Sequence, residues 1–368
     1  MLYYNIIAPV NLRIKTSTMV QLKSICIKTH VFAMVAVITL TVGAMETRAK
    51  EIYVAASIRP LHSLVQMVLG EQGQAVLLLD GRVSPHNIVL RPSDRKHLSK
   101  ADLVFIIDPG FEPLFAKALS VKDRNERLVV MTKAEGIRLK DRRLYRAFGH
   151  EDHVHDDEKH DDEHEDEKHD DEHDDEKHDD HDDHGHSHDD HGHDHLYGKL
   201  DLHLWLDPAN AAAMIDLIQT RLAAVYPGIA DAFQQNAIAA KQDLITLDAD
   251  IHALLSPYQD RQVIVYHDAY SYFEDAYGIE ARASILDHHD AQADIRRVRM
   301  LRQLVAGDEI ACLFHEPQFD AKLLNLIDPQ SRLRHVSLDP IGHDFVAGAD
   351  QYRLMMMGIA RSMVSCFQ

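Results

Sequence analysis

The sequence predicts an α/β protein of two lobes, each a parallel sheet flanked by helices, joined by one long backbone helix. Three observations carry that reading. Short apolar runs alternate with amphipathic stretches from Glu51 to Tyr226, the alternation resumes from Gln262 to Ser365, and one unbroken amphipathic stretch, Gly228 to Leu255, lies between. Alternating strands and helices favour parallel sheets, because each parallel connection needs a crossover element. The length of 368 residues suits two domains, and the apolar fraction of 45% is ordinary for a chain that buries a core.

In order, the pattern gives strand Glu51 to Ala56, helix Pro60 to Leu69, strand Gln74 to Leu79, helix Pro92 to Lys100 and strand Asp102 to Ile107. A helix at Phe111 to Leu119 and a strand at Arg127 to Met131 follow. After a histidine-rich interruption come a strand-like stretch, Leu200 to Leu206, and a helix, Pro208 to Tyr226. In the long stretch Ile229, Phe233, Ala237, Ala240, Leu244, Leu247, Ile251 and Leu254 recur at three and four residues, the mark of one helical face. At 1.5 Å per residue that helix is about 42 Å long, enough to bridge two lobes along their backs. The second lobe reads as strand Gln262 to Tyr266, helix Ala269 to Tyr277, strand Ala281 to Leu286, helix Ala291 to Ala306 and strand Glu309 to Phe314. A helix at Ala321 to Ile327, a strand at Arg334 to Ser337 and a last helix from Phe345 to Ser365 complete it. The implied divisions are 1–49, a signal region; 50–227, the N-terminal lobe with an insertion at 150–195; 228–256, the linker helix; and 257–368, the C-terminal lobe.

Lys23 and Lys28 precede an apolar run, Val31 to Met45, that ends in Thr47-Arg48-Ala49. This is the layout of a secretory signal peptide with a mature start near Lys50, and Met19 is an alternative start. An uncleaved anchor is the competing reading. Cys26 lies in that region without a lipid-attachment box, which leaves Cys312 and Cys366. In an exported protein, two cysteines read as a disulfide rather than as two thiols.

The formal charge of −20 is local. His150 to His195 holds 24 acidic residues, 3 Lys and 15 of the 27 His, which leaves 35 acidic and 36 basic residues elsewhere. A near-neutral body gives no footprint for nucleic acid. Inside the segment a nine-residue unit occurs twice, Asp161 to His169 and Asp170 to His178, and decays into a tail with H-x-H spacings. It has no apolar face, so no packed structure is expected without metal. Imidazoles among carboxylates form a weak, multi-site metal collector, with His178, His181, His184, His186, His188, His191, His193 and His195 as the low-affinity ligands. The competing reading is a solvated polyanionic linker.

Four further positions fall where strands end: His86 in P-H-N-I-V-L-R-P-S-D, His203 in L-H-L-W-L-D-P, His267 in Y-H-D-A-Y-S-Y-F, and Asp339 in S-L-D-P-I-G. A single histidine at a strand end is commonly a satisfied structural residue. Together the four offer three nitrogens and one carboxylate, a set suited to tetrahedral zinc.

These motifs, with E-P-Q-F from Glu316 and L-D-P-I-G from Leu338, occur in the order found in a known family. From about Ile52 to Cys366 the chain resembles the zinc-specific solute-binding proteins of bacterial ABC importers, the ZnuA-like group, including the histidine-rich insertion between the first two ligand motifs. The resemblance implies two α/β lobes on a rigid long helix, periplasmic location, and Zn²⁺ held between the lobes by His86, His203, His267 and Asp339. It also implies delivery to an inner-membrane permease with its ATPase, action as a monomer, a periplasmic metallochaperone as a further partner, and a Cys312–Cys366 disulfide. Relatives that carry manganese place Glu at the third ligand, so His267 favours zinc. Pro85 departs from the pattern, since some zinc members have an acidic residue there; Asp339 or water then completes the site. His315, His343 and the pair His288-His289 are candidates for a second site or plain surface histidines, and His62 lies near the cleft without being assigned as a ligand.

The implied action is capture without chemistry, weakening as pH falls below about 6.5 because zinc must displace imidazole protons. Three rivals stand beside it: a secreted metal buffer working through the insertion alone, import of manganese or nickel, and a zinc enzyme. Against the last, there is no H-E-x-x-H, no nucleophile elbow and no clear general base beside the ligands; Glu316 is the nearest carboxylate by motif.

Overall fold

Four short parallel strands make the first sheet, β1 (Val54–Ala56), β2 (Val76–Leu77), β3 (Leu103–Ile106) and β4 (Leu128–Val130), in the order β2-β1-β3-β4. A two-stranded antiparallel ribbon follows, β5 (Lys140–Asp141) with β6 (Leu200–Asp201). The second sheet is also parallel: β7 (Gln262–His267), β8 (Glu280–Leu286), β9 (Ile310–His315) and β10 (Arg334–Ser337), in the order β10-β9-β7-β8. The computed structural model describes residues 51–80, 89–143, 199–286, 295–307, 309–318 and 322–368. The signal region, His86, the eight low-affinity histidines of the insertion and His288-His289 lie outside the described residues.

The helices are α1 (Arg59–Leu69), α2 (Pro92–Lys100), α3 (Pro113–Ala118), α4 (Val121–Arg127), α5 (Pro208–Val225), α6 (Ala230–Leu255), α7 (Ser271–Tyr277), α8 (Ile295–Ala306), α9 (Lys322–Ile327) and α10 (Gln351–Phe367). Several begin with proline in the first turn, where the missing N–H costs nothing. The long helix α6 buries Phe233, Ala237, Ala240, Leu244, Leu247 and Ile251 as expected, with Leu255 in place of Leu254 closing the stripe. It packs against α1, α5 and α10. One continuous core therefore runs from Val54 and Phe105 of the first sheet, through α6, to Val263 and Phe314 of the second. Separate clusters, around Val104 and Phe115 and around Ile264 and Leu313, fill the opposite faces of the two sheets. Each large aliphatic or aromatic side chain so buried contributes about 1.5 to 3 kcal/mol.

Three expectations change. Leu200 to Leu206 is strand only at Leu200–Asp201; Leu204–Leu206 turn into a 3-10 helix, and every residue from Asp201 to Pro208 is buried. The last helix starts at Gln351 rather than Phe345, because Gly348 takes φ +154°, outside helical space, and Phe345 folds back against Gly358. Helix α4 was not foreseen. It is short and has no buried residue, held by the Ser120 cap and the Arg127–Asp123 pair. No helix of the described residues is long and apolar enough to cross a membrane.

Because each sheet is parallel, the carboxyl ends of its strands lie along one edge, which is where ligands bind in open α/β sheets. In the second sheet the order β10-β9-β7 sets Asp339, Glu316 and His267 in adjacent strand-end positions. The sheet order, not proximity in sequence, gathers them.

Candidate functional site

His267 is the last residue of β7, and His203 follows β6 at the start of the 3-10 turn. Both are nearly fully buried, at 6% and 3% exposure. Their Nε2 atoms face each other at 3.4 Å. The other ring nitrogen of each is held by a carboxylate: Nδ1 of His203 lies 2.8 Å from Asp201 Oδ1, and Nδ1 of His267 lies 2.5 Å from Glu316 Oε1. An imidazole whose Nδ1–H donates to a carboxylate presents its Nε2 lone pair, the tautomer a metal needs. Two such lone pairs aimed at one another repel unless a proton or a cation lies between them.

The spacing tests the fit to zinc. With Zn–N bonds of about 2.0 to 2.1 Å in a tetrahedron, the edge between two nitrogens is about 3.3 to 3.4 Å. The observed separation of 3.4 Å matches that edge.

The surroundings fix both rings. His203 meets Phe111 edge-on at 5.7 Å between centroids and lies 5.3 Å from Trp205. Trp205 is fully buried; its indole N–H donates to the Pro340 carbonyl at 2.8 Å and its own carbonyl accepts from Tyr352 Oη at 2.7 Å. The His203 turn is thereby tied to the loop that carries Asp339. Asp201 also accepts from the His203 amide and from the Ser271 hydroxyl, while its carbonyl accepts from Tyr272 Oη at 2.9 Å. Burial pulls the Asp201 carboxyl up, but the bonds from His203 and Ser271 outweigh it and hold the group below the ordinary range. For His267, burial acts to lower the pKa and the Glu316 carboxylate overrides it, so the net direction is upward.

Asp339 lies just beyond β10, and its carboxylate is engaged. It accepts from the Ile341 amide at 3.0 Å, the His343 amide at 2.7 Å and the His343 ring, with Gln318 at 3.4 Å. These bonds outweigh burial and keep it ionised. Among the described residues no group of three or more His, Cys, Asp or Glu side chains is arranged to hold an ion, and His203 and His267 meet as a pair. His343 is buried on Asp339 as its partner. His315 ends β9 half-buried. His62 is a core residue whose Nε2 meets the Ala75 carbonyl at 3.0 Å.

The sequence reading missed Asp201 as a partner of His203, although a carboxylate two residues before a candidate ligand is a usable signal, and it placed Glu316 by motif without its role. It also missed Glu112, fully buried, which accepts from Ser57 and from the amides of Ile107 and Asp108 at 3.0 and 3.1 Å. Burial pushes its pKa up to about 8. The native state keeps this proton in a window where the unfolded chain has released it, so stability falls as pH rises from about 4.5 to 8. Glu112→Gln mimics the neutral acid. Urea unfolding should show it equal to wild type near pH 5 and more stable by on the order of a few kcal/mol at pH 8.5. Equal pH slopes for the two proteins would refute the assignment.

Comparison with known proteins decides the family. The sequence matches the family described as zinc-uptake complex component A, periplasmic, over residues 54–366. The chain belongs to that family. It is 34% identical over 313 residues to the high-affinity zinc uptake system protein ZnuA of Brucella abortus, covering 85% of this chain and 91% of the relative. The Paracoccus denitrificans protein of the same description is 34% identical over 329 residues, covering 89% and 95%. In fold it is similar to a crystal structure of ZnuA, with TM-score 0.65 at 18% identity over 87% of this chain and 100% of the other. Membership places the chain among solute-binding transport proteins of the periplasm.

Proposed function

We propose that the protein captures one Zn²⁺ at the edge between its two sheets and delivers it to the permease of an ABC importer, which works with an ATPase. The carrying observation is the pair of Nε2 atoms at 3.4 Å, each ring oriented by a carboxylate. Family membership supports zinc as the cargo. In this reading His86 brings the third nitrogen, and Asp339 or water the fourth position. Nitrogen donors favour zinc over manganese. The histidine-rich insertion acts as a low-affinity collector that feeds the tight site, and the chain works as a monomer that captures and releases its cargo without chemistry.

Titration of a variant lacking residues 151–194 with zinc, manganese, nickel and copper tests this. One tight zinc equivalent should remain, with manganese bound far more weakly. Loss of all tight binding on that deletion would instead identify a buffer acting through the insertion.

A further inference from the structure

The ribbon β5–β6 is fastened across to the second lobe at the place where the zinc ligands sit. Arg143, just past β5, spreads its guanidinium over two carboxylates of the other lobe. Its Nε lies 3.0 Å from Asp268 Oδ2 and its Nη2 contacts Asp268 Oδ1; Nη1 and Nη2 reach Glu274 Oε2 and Oε1 at 2.8 and 3.0 Å. Asp268 directly follows His267, and Glu274 lies in α7, the helix after it. All three side chains are largely buried, with 20%, 15% and 5% exposure. Glu274 also accepts from the Ala281 amide at 3.1 Å, which fixes it to the start of β8. Lys140 adds three bonds: its Nζ to the Ser271 carbonyl at 2.9 Å and to Asp275 at 2.5 Å, and its amide to Tyr272 Oη at 3.0 Å.

We propose that Arg143 is a positioning residue for zinc, holding the segment Asp268 to Glu274 so that His267 meets His203 at ligating distance. The proposal rests on the assignment of His267 as a ligand. A bidentate guanidinium suits this place better than an ammonium, because only the planar fork satisfies two carboxylates at once. Without it, Asp268 and Glu274 face each other in a buried setting with their charges uncompensated, and the segment between them must shift to regain solvent. His267 stands one residue from one end of that segment. His203 is held by the same ribbon through Asp201, whose Oδ2 accepts from Ser271 within the clamped segment. Both ligand histidines therefore take their registration from the β5–β6 ribbon. The chain leaves that ribbon at Arg143 toward the histidine-rich insertion and returns to it at Leu200, so the insertion is rooted on the element that sets the site.

The test uses the full chain. Zinc is titrated against a chelator strong enough to silence the insertion, for wild type, Arg143→Met, Arg143→Lys and His267→Ala, with the visible absorption of the cobalt-substituted proteins and urea unfolding of the metal-free ones. Carboxylates that orient metal-bound histidines are worth about ten- to a hundredfold in affinity, and Arg143→Met, acting through the same segment, should weaken zinc by about tenfold or more and alter the cobalt bands. Arg143→Lys should fall between it and wild type. Unchanged affinity and cobalt bands in Arg143→Met, with only a lower unfolding midpoint, would make Arg143 a structural brace and overturn the proposal. If Arg143→Met does not fold, Arg143→Lys decides on the same two readouts. Tight zinc retained in His267→Ala would overturn the ligand assignment itself, a result distinct from failure of the arginine variants.

Discussion

His267→Ala removes the tight zinc equivalent, lowering affinity by more than about a hundredfold, since even the carboxylate behind a metal-bound histidine is worth about ten- to a hundredfold. The reason is geometric. The two Nε2 atoms lie at the separation of one tetrahedral edge, and deleting one takes a nitrogen donor from the site proposed above. The loss should exceed that of any insertion histidine changed singly, because those act as a pool of equivalent weak sites. Glu316 loses its imidazole partner in the same variant and becomes a buried carboxylate short of a bond. The metal-free variant should therefore also unfold at lower urea, and zinc should not restore it. Isothermal titration with a competing chelator measures the first effect and urea unfolding with and without zinc the second; tight zinc surviving in His267→Ala would show the ion is held elsewhere.

Most of the fold was readable because local and global signals agree. Proline in the first turn marks α1, α2, α3 and α5, and the seam from Phe233 to Ile251 is the buried face of α6. The reading failed where polar residues are buried for function. In Leu200 to Leu206 the alternation of Leu with Asp201, His203 and Trp205 imitates a half-exposed strand, but both polar side chains point inward to the site, so the pattern of two does not separate core from solvent. Helix α4 failed for the opposite reason, since with no apolar face its stability comes from a cap and an ion pair that periodicity does not register.

The site was legible by residue type and only partly by partnership. His203 and His267 were found as histidines at strand ends in family order, and the structure brings them together. Their partners Asp201 and Glu316 reach them by different routes, one from two residues earlier in the chain and one from the neighbouring strand end, and only the first could be sought by spacing. Arg143 had no signal at all. In the sequence it is one of several basic residues ahead of an acidic run, and its contacts lie 125 and 131 residues away.

Removing the Cys312–Cys366 bridge should destabilise the protein by about 4 kcal/mol in the chain-entropy account, given a sequence separation of 54 residues. The Cα atoms lie 6.0 Å apart and both residues are buried, so the bond pins α10 to the interior strand β9. Both cysteines are buried, so alanine at each avoids adding an unsatisfied hydroxyl to the core. β9 ends at His315, and the next residue is Glu316, the carboxylate that orients His267. Loosening β9 therefore weakens the site as well as the fold, and zinc in turn stabilises the loosened fold. Free zinc at a thousandfold its dissociation constant returns about 4.1 kcal/mol by mass action. The zinc-loaded double variant should then unfold near the same urea concentration as the metal-free, bridged protein. Full recovery at much lower zinc would mean that the bridge contributes little. No recovery at saturating zinc would mean that β9 no longer holds Glu316 behind His267 once the bridge is gone.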